Sequence, residues 1–328
     1  MMRKLGTSDV SITPITMGAW AIGGFMWGGN EEKDSIEAIH AYIDNGITSI
    51  DTAPLYGFGY SEELVGKAIK KFDRSKIQIL TKFGMVWDME KGDHTFDGVD
   101  RNGNLKKIYR YGGYKKALSD VDISLKRLQT DYIDLIQLHW PDTTTPIDET
   151  MRAMEKMLQD GKARAVGVCN YKADHLSEAE KTIKLQSNQV PYSMLRRGIE
   201  EDVVPYALEN KLSIIAYSPM ERGLLTGKYE SINAFSDTDH RSHYFKRFDF
   251  SEVKKLTNNL QTLAEKYSVT TAQLVLAWTF HQPGVTAALA GARNAKQAEE
   301  NAKAMYITLS DDDRKLINSW LNEKFVII

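Results

Sequence analysis

Short β-branched runs alternate with amphipathic helical stretches along nearly the whole chain, and this alternation restricts the possible folds more than any other feature. A short N-terminal segment has the makings of a hairpin, and Ser11 to Trp20 reads as the first strand. Glu32 to Gly46 reads as a helix closed by its glycine. Thr48 to Ala53 is the next strand, followed by a helix from Glu62 to Phe72 with Ser61 as its expected N-cap. Ile77 to Phe83 is a third strand. Gly84 to Arg110 interrupts the pattern, being rich in Gly and Asp without a clear period, and a loop this long in a compact domain points to a lid or binding loop.

The alternation then resumes. Helix Tyr114 to Gln129 precedes strand Tyr132 to Trp140, and helix Asp148 to Lys162 precedes strand Ala163 to Asn170. Helix Ala173 to Ile183 contains the capping pattern Ser177 to Glu180. Strand Leu185 to Val190, helix Ile199 to Lys211 and strand Leu212 to Pro219 follow. A second long loop, Met220 to Phe250, leads to two helical patterns, the later opened by the capping pair Thr270 and Gln273. Val285 to Gly291 is an eighth strand with Asn294 to Met305 as its helix, and Ser310 to Asp313 caps a closing helix that runs to Lys324. Eight strands separated by helices predict an α/β chain folded as a (β/α)8 TIM barrel. The expectation is one domain over residues 1–328, with a short N-terminal hairpin and long loops at the C-terminal face of the barrel.

Composition narrows the partners. A formal net charge of −2, from Lys+Arg 42 against Asp+Glu 44 with both signs interspersed, lacks the basic footprint of a nucleic-acid binder. No apolar stretch approaches the ~20 residues that span a bilayer, so no membrane association is expected. One cysteine, Cys169, excludes an intramolecular disulfide and fits a reducing, cytoplasmic compartment. Oligomeric state is not legible.

Three consecutive strands deliver functional side chains at their carboxyl ends: Asp51 with nearby Tyr56, then Lys82, then His139. Adjacent parallel strands lie ~4.8 Å apart, so such groups converge on one pocket. A phenol with an ordinary pKa near 10 is a poor proton donor near neutrality unless a cation lowers it. Lys82 is placed to be that cation, Asp51 to keep it charged, and His139 to orient a substrate oxygen. This set suits protonation of a carbonyl oxygen while hydride reaches its carbon. It contains no nucleophile with an adjacent base, so acyl transfer is not indicated. The Rossmann fingerprint is absent, and His240 with His243 has i, i+3 spacing but no third ligand, so no metal is expected. Trp27, Trp87 and Trp140, with Tyr56 and His139, are the candidates for lining a substrate pocket.

The stretches "DTAPLYG", "LTKFG", "LIQLHWPD", "AVGVCNY", "NQVPYSML", "AYSPMERGLLTGK" and "GARNAKQAEEN" together resemble the successive signatures of the aldo-keto reductase superfamily, in order over essentially the whole chain. The likeness is greatest to bacterial members with the "GLLTGK" loop, some of them linked to sugar or polyol metabolism. The resemblance implies Tyr56 as general acid with Lys82, Asp51 and His139 as its partners. It also implies a nicotinamide cofactor, NADPH/NADP⁺ with NADH as an alternative, held by Trp20, Asp51, Asn170, Gln189 and Tyr217. Ser218, Pro219, Met220, Gly223, Leu224, Gly227 and Lys228 would hold its pyrophosphate. Gly291, Arg293, Gln297, Glu300 and Asn301 would meet its adenosine end, where Arg293 favours NADPH and Gln297 replaces a second cation. Cys169 stands where relatives often carry Ser. The implied partner is a small-molecule carbonyl substrate, an aldehyde or ketone such as a sugar or aromatic aldehyde. The implied alternatives are an NADP-dependent aldose or polyol dehydrogenase and a non-catalytic, cofactor-sensing subunit of the kind found on potassium channels.

Overall fold

A computed structural model describes residues 1–24, 27, 29–229, 241–321 and 325. Its centre is a closed barrel of eight parallel strands in sequence order: β1 (Ile15–Gly18), β2 (Ser49–Asp51), β3 (Gln78–Phe83), β4 (Leu135–Leu138), β5 (Val166–Cys169), β6 (Ser187–Pro191), β7 (Ser213–Tyr217) and β8 (Val285–Ala290). The last strand pairs with the first, matching Ala288 to Ile15 and Ala290 to Met17. Around it lie α1 (Glu32–Asp44), α2 (Tyr60–Ile69), α3 (Tyr114–Leu128), α4 (Ile147–Gln159), α5 (Ala173–Ala179), α6 (Val203–Glu209), α7 (Arg241–Tyr244), α8 (Phe250–Lys266), α9 (Thr271–Phe280), α10 (Ala295–Lys303) and α11 (Asp311–Trp320). The (β/α)8 expectation is met.

The strand period of two sorts the side chains. On β3, Ile79 and Phe83 belong to the apolar layer between strands and helices, whereas Leu80 belongs to the cluster filling the barrel. Lys82 shares the parity of Leu80, so it points inward, one layer higher. The same parity puts Asp51 on β2, Gln137 on β4, Cys169 on β5, Gln189 on β6 and Tyr217 on β7 at the top of the interior. Apolar Leu80, Leu135, Ile215 and Ala287 fill the layer beneath, with Leu5, Val10 and Ile12 from the N-terminal hairpin packed below them.

Several local expectations need correction. Ser11 to Trp20 is two strands: Ser11–Ile12 pairs with Arg3–Lys4 in the hairpin, and β1 begins after Pro14, which has no N–H to continue a ladder. α2 starts at Tyr60 with Gly59 in the cap position, and the Ser61 hydroxyl instead bonds the Thr52 hydroxyl and the Ala19 carbonyl. Ser177 lies inside α5 and caps nothing there, while the Glu180 carboxylate accepts from the Leu185 N–H and the Tyr206 hydroxyl. The capping patterns at Thr270 with Gln273 and at Ser310 with Asp313 do form. The closing helix ends at Trp320 rather than Lys324, and residues 322–324 lie outside the described residues.

Gly84 to Arg110 is not irregular. It forms a three-stranded antiparallel sheet in which Leu105–Arg110 lies between Met85–Val86 and Asp93–Val99. Its strands are mostly polar because little of the sheet is buried, which erases the hydrophobic alternation. Asp100 shapes its turn by accepting the N–H groups of Asn102 and Asn104.

Gly66 of α2 lets the helix approach the end of α3, since a Cβ there would lie 2.5 Å from the Arg127 carbonyl oxygen. Gly66→Ala is therefore expected to destabilise the fold by about 1–3 kcal/mol through forced separation of the two helices. Urea unfolding of variant and wild type, with unchanged m-values, measures it.

Candidate active site

Parity brings Asp51 and Lys82 together at the centre of the site. The Lys82 ammonium donates to Asp51 Oδ1 at 2.6 Å and to the Thr52 carbonyl at 2.8 Å, and both side chains are 1% exposed. The second Asp51 oxygen accepts from Gln189 Nε2 at 2.8 Å and Gln137 Nε2 at 3.4 Å. The donors around this carboxylate thus come from the ends of three other strands, β3, β4 and β6. Burial by itself would strip the proton from Lys82, but the adjacent Asp51 carboxylate holds the ammonium above its ordinary range.

Tyr56, on the turn after β2, has its ring centroid 5.0 Å from Lys82 Nζ and 5.8 Å from that of His139. Burial pushes the phenol up to about 12, against the downward pull of Lys82. The expected lowering by Lys82 is present but is outweighed, because desolvating a phenolate costs more than one already-paired ammonium returns. Burial, with help from the Lys82 and Arg110 cations, also holds the His139 imidazole well below its ordinary value, so the ring is neutral.

Above these groups a cleft of about 540 Å³ runs from Tyr56 and His139 across the ends of β7 and β8 to α9 and α10. Most of the residues singled out from sequence line it: Trp20, Trp27, Asp51, Tyr56, His139, Trp140, Asn170, Gln189, Tyr217, Ser218, Pro219, Met220, Gly223, Lys228, Gly291, Arg293, Gln297, Glu300 and Asn301. Lys82 sits beneath the floor. Three others do not line the cleft either. Leu224 turns into the helix layer, and Gly227 caps the short 3-10 segment Glu221–Thr226 from outside the cleft. Trp87 packs edge-on against Phe58 and faces a separate cavity of about 170 Å³ beside α3. His240 lies outside the described residues, and among the described residues no three His, Cys, Asp or Glu side chains are grouped to hold a metal.

Phe96, Arg222, Tyr229 and Arg241 come from the two long loops expected to wall the mouth but were not singled out individually, and Leu55, Thr270, Ala272 and Gln273 were not anticipated as wall residues. Phe96 comes from the small antiparallel sheet, which the sequence pattern concealed. Arg222 adjoins the "GLLTGK" stretch and was within reach of the motif. Thr270 and Gln273 were legible only as a helix cap.

The cleft fits a dinucleotide by its chemistry. Arg222, Lys228 and Arg293 supply cations along its length, and the buried Arg222 Nε has no hydrogen-bond partner among the described residues. Arg293 directly precedes α10, whose Asn294 side chain accepts the Gln297 N–H, while Gln297 Oε1 accepts the Arg293 N–H. Gln297 therefore braces the loop that presents Arg293. The Tyr217 hydroxyl donates to Asn170 Oδ1 at 3.0 Å, and Asn170 Nδ2 donates to the His139 carbonyl at 3.1 Å.

A family model, that of the aldo/keto reductase family, matches residues 14–322 of this chain. The chain belongs to the aldo/keto reductase family. It is 40% identical to the aldo-keto reductase YhdN of Bacillus subtilis over 97% of this chain and 92% of that one. It is 35% identical to the NADH-specific methylglyoxal reductase of Escherichia coli, covering 96% of this chain and 97% of that one. Among solved structures, the glycerol dehydrogenase of Gluconobacter oxydans superposes with a TM-score of 0.87 at 35% identity, over 98% of this chain and 94% of that one. As an aldo-keto reductase the protein is an NAD(P)H-dependent oxidoreductase. Among the described residues no helix is long and apolar enough to cross a membrane.

The neutral, buried His139 makes stability depend on pH. The unfolded chain takes up a proton at this histidine near its ordinary value of about 6.5, whereas the folded chain does so only at lower pH. Stability from this source is present above about pH 6.5 and falls as pH drops, by up to ~1.4 kcal/mol per pH unit. Urea unfolding between pH 7 and 5 is expected to show a shallower decline in His139→Asn than in wild type.

Proposed function

We propose that this protein reduces an aldehyde or ketone to the alcohol, with Tyr56 delivering the proton to the carbonyl oxygen. The observation that carries the reading is the convergence of Tyr56, His139 and the buried Asp51–Lys82 pair on the floor of one cleft. A dihydronicotinamide cofactor bound in the cleft would supply hydride to the carbonyl carbon.

Each side chain then has a task. The neutral His139 ring faces the cleft and donates a hydrogen bond to the carbonyl oxygen, which orients the substrate without adding charge. Tyr56 remains a protonated phenol in the resting site, so it is poised as an acid. As negative charge builds on the substrate oxygen, Lys82 offsets the charge that passes to the phenol oxygen, and Asp51 keeps Lys82 fixed and ionised. A phenol raised by burial rests in the acid form that reduction uses, and the same Tyr56 acts as the base when the reaction runs as alcohol oxidation. A solved structure of similar architecture is that of a glycerol dehydrogenase, named for an alcohol substrate.

Tyr217, packed on the barrel's inner cluster, offers its ring to the nicotinamide. Asn170 and Gln189 take the carboxamide; Gln189 already donates to Asp51, so its carbonyl oxygen is the group left for the cofactor. Arg293 meets a 2′-phosphate and favours NADPH, although the Escherichia coli relative is NADH-specific. Trp20, Trp27, Trp140, Leu55 and Phe96 form an apolar mouth for the body of the substrate.

Tyr56→Phe is expected to lower turnover of an aldehyde such as glyceraldehyde or benzaldehyde by about 10²–10⁴-fold. NADPH affinity, read by cofactor fluorescence, should stay unchanged; full turnover in this variant would overturn the assignment. Arg293→Ala should weaken NADPH binding by about tenfold and leave NADH binding within about twofold. Equal losses for the two cofactors would remove the 2′-phosphate contact from the reading.

A further inference from the structure

Arg110 ends the central strand of the antiparallel sheet, and its pairing with Met85 sets it just beyond the C-terminal end of β3. The neighbouring strand end carries His139 and Trp140, with the His139 N–H donating to the Phe83 carbonyl. The Arg110 guanidinium lies 4.7 Å from the Trp140 ring centroid, and Trp140 is a wall of the cleft that holds Tyr56 and His139. A basic residue thus lies against Trp140 at the substrate end of the site, beside the residues that line the cleft.

No carboxylate among the described residues forms an ion pair with it, and its buried Nε has no hydrogen-bond partner there. Asp93 faces it across the strand pair, but both Asp93 oxygens accept from Thr143, each at 2.7 Å. The cations that line the cleft have work elsewhere. Arg222, Lys228 and Arg293 lie toward the cofactor, and Arg241 packs 5.3 Å from the Trp27 ring centroid and donates to the Tyr229 hydroxyl at 3.1 Å. Among the described residues the acids lining the cleft are Asp51, already paired with Lys82, and Glu300 at the adenosine end. Among the described residues the substrate end is therefore apolar and aromatic, and the acid nearest Arg110 there, Asp93, feels its charge but has both oxygens engaged by Thr143.

A guanidinium stacked on an aromatic face keeps its planar N–H edges free, and those edges match a carboxylate in bidentate geometry. We propose that Arg110 receives the carboxylate of an anionic carbonyl substrate, one in which an aromatic ring or short aliphatic spacer separates the acid from the reacting carbon. This rests on the reductase reading above. The influence of Arg110 on the His139 ring shows that its charge is felt at the reacting centre. The aromatic mouth would hold the spacer while Arg110 fixes the far end, so that the carbonyl is presented to Tyr56 and His139 in one orientation.

The test compares each acid with a neutral partner of the same shape: 4-carboxybenzaldehyde with its methyl ester, and succinic semialdehyde with its methyl ester. The holoenzyme with NADPH is assayed as wild type, Arg110→Gln and Arg110→Lys. In wild type kcat/KM should favour acid over ester by about tenfold or more, chiefly through KM. The ratio should fall by about 10- to 100-fold in Arg110→Gln and recover in part in Arg110→Lys. Turnover of both compounds with no preference in wild type, or an unchanged ratio in Arg110→Gln, would overturn the proposal and leave the reductase reading intact. Calorimetric titration with 4-carboxybenzyl alcohol and its ester separates the remaining case. Arg110-dependent binding of the acid without turnover of any aldehyde would support the anion site and sink the reductase reading, and equal binding of acid and ester would sink the anion site.

Discussion

The buried ion pair between Asp51 and Lys82 is the interaction on which the rest of the site depends. Removing two charges from water costs several kcal/mol per ion, and their mutual attraction returns this only where geometry is good and the remaining lone pairs and protons are satisfied. Both conditions hold: Lys82 also bonds the Thr52 carbonyl, and the far oxygen of Asp51 takes amide donors from Gln189 and Gln137. Four strand ends therefore meet on one carboxylate. Burial at the bottom of the cleft, helped by the Lys82 charge, keeps the His139 ring neutral, and the Tyr56 ring packs over the Lys82 ammonium.

The barrel makes such a pair possible. Below it, apolar residues of the same parity and the N-terminal hairpin seal the interior, so water has no route from beneath. Above it, the cleft admits ligand and solvent from one side. The division between a closed floor and an open mouth follows from the inward positions: Asp51, Lys82, Gln137 and Gln189 stand at the carboxyl ends, over an apolar layer of Leu80, Leu135, Ile215 and Ala287. Placing charge lower would leave it without partners, and placing it on the loops would leave it fully hydrated.

The cleft's walls are held by a different kind of polar network. After β7 the backbone takes left-handed conformations at Ser218, Glu221, Arg222 and Gly223, three of which carry a Cβ. Such conformations cost of order 1–3 kcal/mol each and persist where the surroundings over-determine them. Glu221 supplies that constraint: its buried carboxylate accepts from the Ser193 and Tyr244 hydroxyls, tying the turn to the loop after β6 and to α7. The Arg222 guanidinium, 3.6 Å from the Tyr244 ring centroid and 5.3 Å from that of Trp20, spans from this turn to the loop after β1. The segment that would face a cofactor's phosphates is thereby held in shape before any ligand arrives.

Much of this was legible in the linear chain, for a physical reason. Asp51, Lys82 and His139 stand at the ends of successive β-branched runs, and in a parallel barrel equal height on adjacent strands means proximity, so sequence position translated directly into space. The family motifs and the caps at Thr270 and Ser310 were readable because they depend on residues a few positions apart. What failed depended on contacts between distant segments. The Phe96 sheet was hidden because solvated strands carry no hydrophobic period, and Ser61 was misread as a cap because its better partners, Thr52 and Ala19, come from other elements. The residue types alone implied that Lys82 would acidify Tyr56, but the depth of burial, which only the tertiary structure sets, reversed the net effect. Likewise sequence placed Arg110 at the end of a long loop without a clear period, and only the pairing of that loop into a sheet laid its guanidinium on Trp140. Sequence determined which groups the barrel brings to one end, because strand periodicity is local. Tertiary structure decided their charge states and the shape of the mouth, because desolvation and loop packing are sums over the whole molecule.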